Sequence, residues 1–230
     1  MSMKQILFNT EMVRAILEGR KSCTRRIVKS QQLVGLLPDK CKNGVPEEFL
    51  KEKKLMFKPY CDMTDIELIN TAYKAPYQPG DILYVRETWC ALPVNEAGHM
   101  RGHSVYYYKA DGDLRPEGWR GNWHPSLHMP KEAARLFLRV TNVRVERLQD
   151  ITPKDAENEG VGNLFYKDIG YSEKNYGTEV DPEYGIAKEQ FAWLWESTVK
   201  KSDLDFYGWD ANPYVWVIEF ERCDKPESEG

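Results

Sequence analysis

A basic stretch near the start of the chain contains two side chains that together could transfer a proton and attack a carbonyl. Lys21 and Thr24 lie three residues apart in the run Gly19-Arg20-Lys21-Ser22-Cys23-Thr24-Arg25-Arg26. A threonine hydroxyl is a weak nucleophile and needs a base. Lysine can act as that base only when it is uncharged, a form that repulsion from neighbouring arginines would favour. The spacing therefore indicates a site in which Lys21 and Thr24 converge.

A carboxylate further along the chain could complete this chemistry. Glu87 belongs to the run Ile82-Leu83-Tyr84-Val85-Arg86-Glu87-Thr88-Trp89, which follows the turn signal Pro79-Gly80-Asp81 and predicts one strand over 82–89. On a rigid strand, Glu87 could orient the lysine or pass a proton to a departing amine. The alternative is a solvated basic loop in which Thr24 makes a local hydrogen bond and Glu87 pairs with Arg26.

The same region is the candidate surface for nucleic acid. The formal net charge of -4 argues against general binding of nucleic acid, because affinity from counterion release needs many phosphate contacts. A local patch of Arg20, Arg25 and Arg26 could still contact phosphate, and Trp89 could stack on a base. We therefore expect weak, salt-sensitive binding to single-stranded RNA, centred on this patch.

Other kinds of chemistry are weakly indicated. The histidine pairs His99/His103 and His124/His128, with Cys90 before them, lack the orderly four-ligand spacing of a zinc site. We therefore expect no metal and no cofactor. The five cysteines form no CxxC pair, and no apolar run approaches the ~20 residues that span a membrane. Together with the lack of a signal-peptide pattern at the start, this predicts a cytoplasmic protein with no membrane partner.

The elements that must position these residues mix strands and helices. Asn9 or Thr10 can cap a helix over 10–18 that stops at Gly19. Thr152-Pro153 begins a second helix that stops at Gly160, and a third is predicted over 188–199. Strands outnumber helices and are scattered along the chain, which favours an α+β fold over a doubly wound sheet. The predicted strands cover residues 6–8, 26–28, 82–89, 136–147 and 214–220.

Four residues of the basic stretch match a known motif. Gly19, Lys21, Thr24 and Arg26 occupy the fixed positions of GxKxxTxR, the signature of ASCH domains. Pro79-Gly80-Asp81 with its following strand resembles the second block of that superfamily. The resemblance to a larger, phage-associated branch is carried by three further segments: His128-Met129-Pro130, Thr141 to Gly160, and Asn212-Pro213 through Phe220. The resemblance covers about half of the chain.

This resemblance implies a PUA-like mixed β-barrel flanked by helices. It implies a single domain over 1–223 and a flexible tail over 224–230, with polar insertions near 31–78, 93–129 and 162–185. Small bacterial members of the superfamily hydrolyse N(4)-acetylcytidine with a Lys, Thr and Glu triad. Those positions match Lys21, Thr24 and Glu87, so the resemblance implies that these three are catalytic.

Two functions and one blander alternative stay open at this point. The chain could be an amidohydrolase that removes an acyl group from a cytidine-type base. It could instead be a non-catalytic module that binds RNA or a small modified nucleoside with the same residues. The third alternative is a phage assembly or host-interaction protein on the same fold. The sequence gives no indication of the oligomeric state.

Overall fold

A computed structural model of the chain describes residues 3–29, 70, 73–94, 103–117, 121–161 and 185–226. These residues contain seven strands and four α-helices, which confirms the predicted α+β class. The strands are β1 (Met3–Leu7), β2 (Cys23–Ile27), β3 (Ile82–Arg86), β4 (Trp89–Val94), β5 (His103–Tyr108), β6 (Phe137–Arg147) and β7 (Tyr214–Cys223). The helices are α1 (Thr10–Leu17), α2 (Pro153–Asn158), α3 (Gly185–Thr198) and α4 (Leu204–Tyr207). Within the described ranges, no helix is long and apolar enough to cross a membrane.

The chain divides into two compact units, which we describe separately. Unit 1 comprises Met1–Ser22, Pro79–Thr141 and Phe220–Gly230, and unit 2 comprises Cys23–Gln78 and Asn142–Glu219. The long strands β6 and β7 each contribute residues to both units. The single domain predicted over 1–223 stays a prediction.

Unit 1 holds a parallel strand pair and a hairpin. Strand β1 pairs in parallel with β3, with Met3 opposite Ile82, and β3 pairs antiparallel with the first part of β6. A parallel pair needs a long crossover connection, and α1 and the basic stretch both lie in the chain between β1 and β3. Strands β4 and β5 form a separate antiparallel hairpin, with Trp89 opposite Tyr108. The side chains of Ile6, Leu83 and Val85 are buried.

Unit 2 is built around the antiparallel pair of β2 and β7. Cys23 lies opposite Glu219 and Ile27 opposite Val215. Successive residues of β7 are buried, as expected for a strand covered on both faces. Helix α3 contributes three buried apolar residues to this unit: Phe191, Leu194 and Trp195.

The described strands do not form the single β-barrel that was predicted. The larger sheet has five strands in the order β1-β3-β6-β7-β2, and β4 with β5 forms a second sheet. The predicted strand over 82–89 is broken at Glu87 and Thr88, and the residues from Trp89 onward pair with β5. This break separates β4 from β3, so that β4 and β5 form the second sheet. The larger sheet stays open within the described residues, with β1 and β2 as its edge strands.

Local capping signals confirm two of the predicted helices. The side chain of Asn9 accepts a hydrogen bond from the Met12 amide at 2.8 Å, and α1 begins at Thr10. Thr152 accepts from the Asp155 amide at 3.1 Å, and Pro153 is the first residue of α2. Side-chain acceptors at this position satisfy amides that have no partner within the helix.

The predicted insertions are covered unevenly. Those near 31–78 and 162–185 lie almost entirely outside the described residues, as does the last part of the tail, 227–230. The insertion near 93–129 contains strand β5.

Candidate functional site

The turn after α1 fixes the position of Lys21. The carbonyl of Ala15 accepts hydrogen bonds from the amides of both Arg20, at 2.8 Å, and Lys21, at 3.0 Å. Gly19, which lies in the chain between Ala15 and these two residues, has φ +75, a left-handed conformation that glycine adopts without a steric penalty. The turn brings Lys21 inward, with only 3% of the residue exposed. Its Nζ lies 5.5 Å from the centroid of the Phe8 ring, a cation–π distance.

Glu87 lies in a bend between two strands and not on a strand, which corrects the sequence prediction. Strand β3 ends at Arg86, and β4 begins at Trp89. The carbonyl of Arg86 accepts a hydrogen bond from the amide of Phe8 at 3.1 Å. Arg86, the residue before Glu87, is therefore hydrogen-bonded to Phe8, whose ring lies against Lys21. Glu87 itself is 1% exposed.

Arg135 holds the Glu87 carboxylate in a two-pronged contact. Its Nε donates to Oε1 at 2.9 Å and its Nη2 donates to Oε2 at 3.1 Å. This fork arrangement is the strong, geometrically specific form of an arginine–carboxylate pair. The third nitrogen, Nη1, donates to Oδ2 of Asp111 at 2.6 Å. Arg135 therefore joins a buried carboxylate to a second one whose side chain is 33% exposed.

The face of the Arg135 guanidinium lies against an aromatic ring. Its Cζ is 3.9 Å from the centroid of Tyr108, at the end of β5. The Tyr108 hydroxyl donates to the carbonyl of Ala133 at 2.6 Å, which fixes the ring. Burial raises the pKa of Tyr108 to about 12, against the opposing effect of Arg135. Tyr108 is thus a neutral, fixed platform at neutral pH.

Two opposing effects act on the ionisation of Glu87. Burial raises the pKa of Glu87, because an apolar environment disfavours a charge. The hydrogen bonds from Arg135 act in the other direction and are the weaker influence. Because both carboxylate oxygens accept hydrogen bonds, the geometry is that of the ionised form held by a cation.

Neighbouring elements place Asp111 and Arg135. Arg14 of α1 donates through Nε to the carbonyl of Ala110 at 2.9 Å, which ties the turn carrying Asp111 to the helix. Arg135 comes just before β6, after the 3-10 turn Lys131–Ala133. Sequence reasoning missed both residues. The available signal was a lone charge in the run Ala133-Ala134-Arg135-Leu136-Phe137, since an arginine within an apolar segment needs a partner.

Trp89 lies in an aromatic cluster of unit 1. Its ring centroid is 5.1 Å from that of His124 and 5.9 Å from that of Tyr106. The backbones of Trp89 and His124 also exchange hydrogen bonds at 2.7 and 3.2 Å. The indole Nε1 is buried and has no hydrogen-bond partner among the residues described. Base stacking by Trp89 stays a prediction.

Thr24, Arg25 and Arg26 lie on strand β2 in unit 2, which begins at Cys23 and so three residues before the predicted strand over 26–28. Thr24 is 1% exposed and its register partner on β7 is Ile218. The chain passes from unit 1 to unit 2 between Ser22 and Cys23. The convergence of Thr24 with Lys21 and Glu87 stays a prediction.

Arg25 is engaged by acids inside unit 2. Its side chain is fully buried, and its guanidinium donates to Glu146 through Nε at 3.1 Å and to Glu159 through Nη1 at 3.2 Å. Burial acts to lower the pKa of Arg25, but the charges of Glu159 and Glu146 outweigh it and raise the pKa above its ordinary value. The charge of Arg25 is therefore balanced by two acids in this arrangement, and its contact with phosphate stays a prediction.

The other two arginines of the predicted patch are less enclosed. Arg20 donates through Nε to Glu18 at 2.7 Å, and 32% of its side chain is exposed. Arg26 is half-buried, donates to the carbonyl of Arg25 at 3.2 Å, and has a pKa lowered by burial. Arg20 is therefore partly accessible to an outside anion.

The histidines considered as metal ligands take other positions where they are described. His99 lies outside the described residues, and His124 forms the bridge with Trp89. Within the described ranges, no group of three or more His, Cys, Asp or Glu residues could hold a metal ion.

Comparisons with protein-family models, with curated proteins and with solved structures find no match for this chain. The membership of the ASCH superfamily that the motif at Gly19, Lys21, Thr24 and Arg26 suggests therefore stays a prediction.

Proposed function

We propose that this chain handles RNA or a modified nucleoside, on an ASCH-type, PUA-like fold, with Lys21, Thr24 and Glu87 as the site. One observation carries the proposal: these three polar side chains are 3%, 1% and 1% exposed. Lysine and glutamate are rarely buried this far unless they are paired or functional. A solvated basic loop would leave Lys21 and Thr24 accessible, so their burial argues against that alternative.

The surroundings of Lys21 and Glu87 also support the proposal. The Phe8 ring lies beneath Lys21, and the Phe8 amide is bonded to the carbonyl that precedes Glu87. These contacts anchor the lysine and the glutamate to the same residue in unit 1. An ammonium and a carboxylate held in this way could each contact the polar edge of a base.

Binding is the function that the Glu87 geometry favours. Both carboxylate oxygens accept hydrogen bonds from Arg135, an arrangement that orients the carboxylate. A carboxylate that shuttles protons needs an oxygen that can reach the reacting atom. Either role requires Arg135 to release these oxygens, and the fixed orientation of the carboxylate favours recognition of a base over proton transfer.

Amide hydrolysis is the second candidate, and the environment of Glu87 favours it. Burial raises the pKa of this carboxyl, and enzymes raise glutamate pKa values in this way to bring acid–base groups toward neutral pH. In that mechanism the Thr24 hydroxyl attacks the acyl carbonyl of an N(4)-acylated cytosine while Lys21 accepts its proton. That proton passes through Glu87 to the departing amine, and the acyl group stays on Thr24 as an ester. Water then hydrolyses the ester, which releases the carboxylic acid and restores the Thr24 hydroxyl.

RNA contact would rely on fewer cations than the basic stretch contains. Arg25 is paired with Glu146 and Glu159, which leaves Arg20 and Arg26 as the arginines of the patch to test against phosphate. With so few phosphate contacts, the salt dependence of binding would be shallow. Specificity would then come from the buried residues, and stacking on Trp89 would add affinity.

A binding and turnover panel tests the proposal. The protein is incubated with acylated and methylated nucleosides and with short RNAs, and retained ligands and products are identified by mass spectrometry. The variants are Lys21→Ala, Thr24→Ala and Glu87→Gln, and Lys154→Ala is the control because its side chain is 77% exposed. Circular dichroism establishes that each variant is folded.

We expect at least one nucleoside or RNA to be retained or deacylated by the wild type and by Lys154→Ala. Lys21→Ala and Thr24→Ala should each lose it. Retention without turnover supports the binding module, and deacylation supports the hydrolase. If no member of the panel is retained or changed, the proposal is wrong and an assembly or host-interaction role is the better account.

A further inference from the structure

The guanidinium of Arg135 is held as a nucleobase would be held. It is planar, its face lies 3.9 Å from the Tyr108 ring centroid, and its edge donates two parallel hydrogen bonds to Glu87. We propose that Glu87 and Tyr108 form a recognition site for guanine, which Arg135 occupies until the base displaces it. We call the space between Glu87 and Tyr108 the Glu87 slot.

The chemistry of the edge selects guanine. Guanine carries N1–H beside the exocyclic N2–H, so its edge contains the same paired donors as a guanidinium. An ionised carboxylate only accepts hydrogen bonds, and two adjacent donors satisfy both of its oxygens. Neutral cytosine and adenine present a donor beside an acceptor, which would leave one oxygen of Glu87 facing another lone pair. Uracil presents a single donor between two acceptors.

The platform of the slot accepts any planar group. Tyr108 is fixed by its hydrogen bond to Ala133, so its ring face is already oriented. Arginine and nucleobases both stack on aromatic rings. Stacking therefore gives affinity without selecting among bases, and selection comes from the paired oxygens of Glu87.

Asp111 can remain the partner of Arg135 when the guanidinium leaves Glu87. Arg135 Nη1 is already 2.6 Å from Asp111, and the side chains of Arg135 and Asp111 are 27% and 33% exposed. The guanidinium can therefore move away from Glu87 toward solvent and keep a carboxylate partner. Because Arg135 is hydrogen-bonded to both oxygens of Glu87 and its own side chain is partly exposed, a base could pair with Glu87 only after the guanidinium moves.

An intramolecular occupant lowers the apparent affinity for its competitor. If Arg135 fills the slot for more than roughly nine-tenths of the time, the wild type binds guanosine at least about tenfold more weakly than a protein with the slot open. In Arg135→Lys, the lysine keeps a positive charge near Glu87 but cannot donate two parallel hydrogen bonds to it. This variant therefore opens the Glu87 slot while the buried carboxylate still has a cation nearby. The inference rests on the proposed function, because Glu87 belongs to the proposed nucleoside site.

The test is the affinity for guanosine, adenosine, cytidine and uridine, measured by calorimetry. We expect Arg135→Lys to bind guanosine at least about tenfold more tightly than the wild type. The double variant Glu87→Gln with Arg135→Lys should lose that gain, since an amide offers only one acceptor oxygen. Arg139→Lys is the matched control, because it lies on the adjoining strand with 48% of its side chain exposed and should bind as the wild type does.

Two results would overturn the inference. One is an Arg135→Lys protein, folded by circular dichroism, that binds guanosine no more tightly than the wild type. The other is an equal gain for cytidine or adenosine. If other nucleosides bind in a way that depends on Lys21 and Thr24, the inference fails and the proposed function stands; if no nucleoside binds any variant, both fail.

Discussion

Removing the guanidinium of Arg25 should destabilise the protein strongly. The Arg25 side chain is fully buried, and its two glutamate partners, Glu146 and Glu159, have side chains only 17% and 3% exposed. Arg25→Ala takes a buried cation away from one buried and one partly buried carboxylate, and losing one partner of a buried pair costs about 3–5 kcal/mol. For a chain of this size, that loss corresponds to a fall in Tm of roughly 6–20 °C.

Chemical and thermal unfolding followed by circular dichroism would measure this loss. Arg20→Ala is the matched control, since the pair of Arg20 with Glu18 has side chains 32% and 48% exposed. An exposed pair contributes about 0–1 kcal/mol and is screened by salt. The cost of Arg25→Ala should therefore persist at high salt, while the small cost of Arg20→Ala should disappear.

The outcome separates two roles for Arg25. If Arg25→Ala unfolds like the wild type but lowers the salt dependence of RNA binding, Arg25 is a phosphate contact and the structural role is refuted. If stability falls and the salt dependence of the remaining folded protein is unchanged, Arg25 stabilises unit 2 and does not reach phosphate.

Three further predictions concern the turn and the Glu87 slot. Gly19→Ala should lower the free energy of unfolding by about 1–2 kcal/mol, because φ at this position is +75. Gly19→Asn should lower it less, because asparagine adopts this conformation more readily and an added Cβ meets no atom within 4 Å. Equal losses for the two variants would contradict this explanation. Burial raises the pKa of Glu87 above 4.5, so the folded state binds that proton more tightly than the unfolded state. We therefore compare the free energies of unfolding of the wild type and of Glu87→Gln. The difference in favour of the wild type should be greatest below pH 4.5 and should fall as the pH rises through the raised pKa of Glu87. A difference that grows with pH would contradict the raised pKa. Tyr108 has a pKa raised to about 12, so the ultraviolet difference between wild type and Tyr108→Phe should titrate near pH 12, and titration near 10 would mean that the ring is exposed.

Local signals in the sequence predicted the helix starts and the turn after α1. Asn9 and Thr152 supply oxygen atoms to amides only three residues away, so their role depends on nothing distant in the chain. Gly19 likewise acts through its own backbone conformation. These features can be predicted because each residue and the backbone group that it affects lie within one turn of chain.

The break at Glu87 could not be predicted from the apolar pattern. Residues 82–89 have the composition of one continuous strand, but β3 pairs with β1 and β6 while β4 pairs with β5. The choice of partner is made by segments distant in sequence, including the bridge between Trp89 and His124. The second sheet that begins at this bend was therefore not predicted.

The roles of Arg25 and Arg135 depend on contacts that are still longer in range. Glu146 lies 121 residues from Arg25, and Glu87 lies 48 residues from Arg135. The basic stretch suggested an exposed patch because adjacent arginines are usually solvated. Alternation along β2 instead turns Arg25 toward buried acids, which a count of local charges cannot reveal.

A crystal structure of the protein with a nucleoside selected by the panel would test the central claim most directly. We predict that the nucleoside contacts Lys21, Thr24 and Glu87, with polar atoms about 2.6–3.2 Å apart. A nucleoside bound elsewhere, or a complex in which Thr24 lies away from Lys21 and Glu87, would contradict the claim that these three residues form one site.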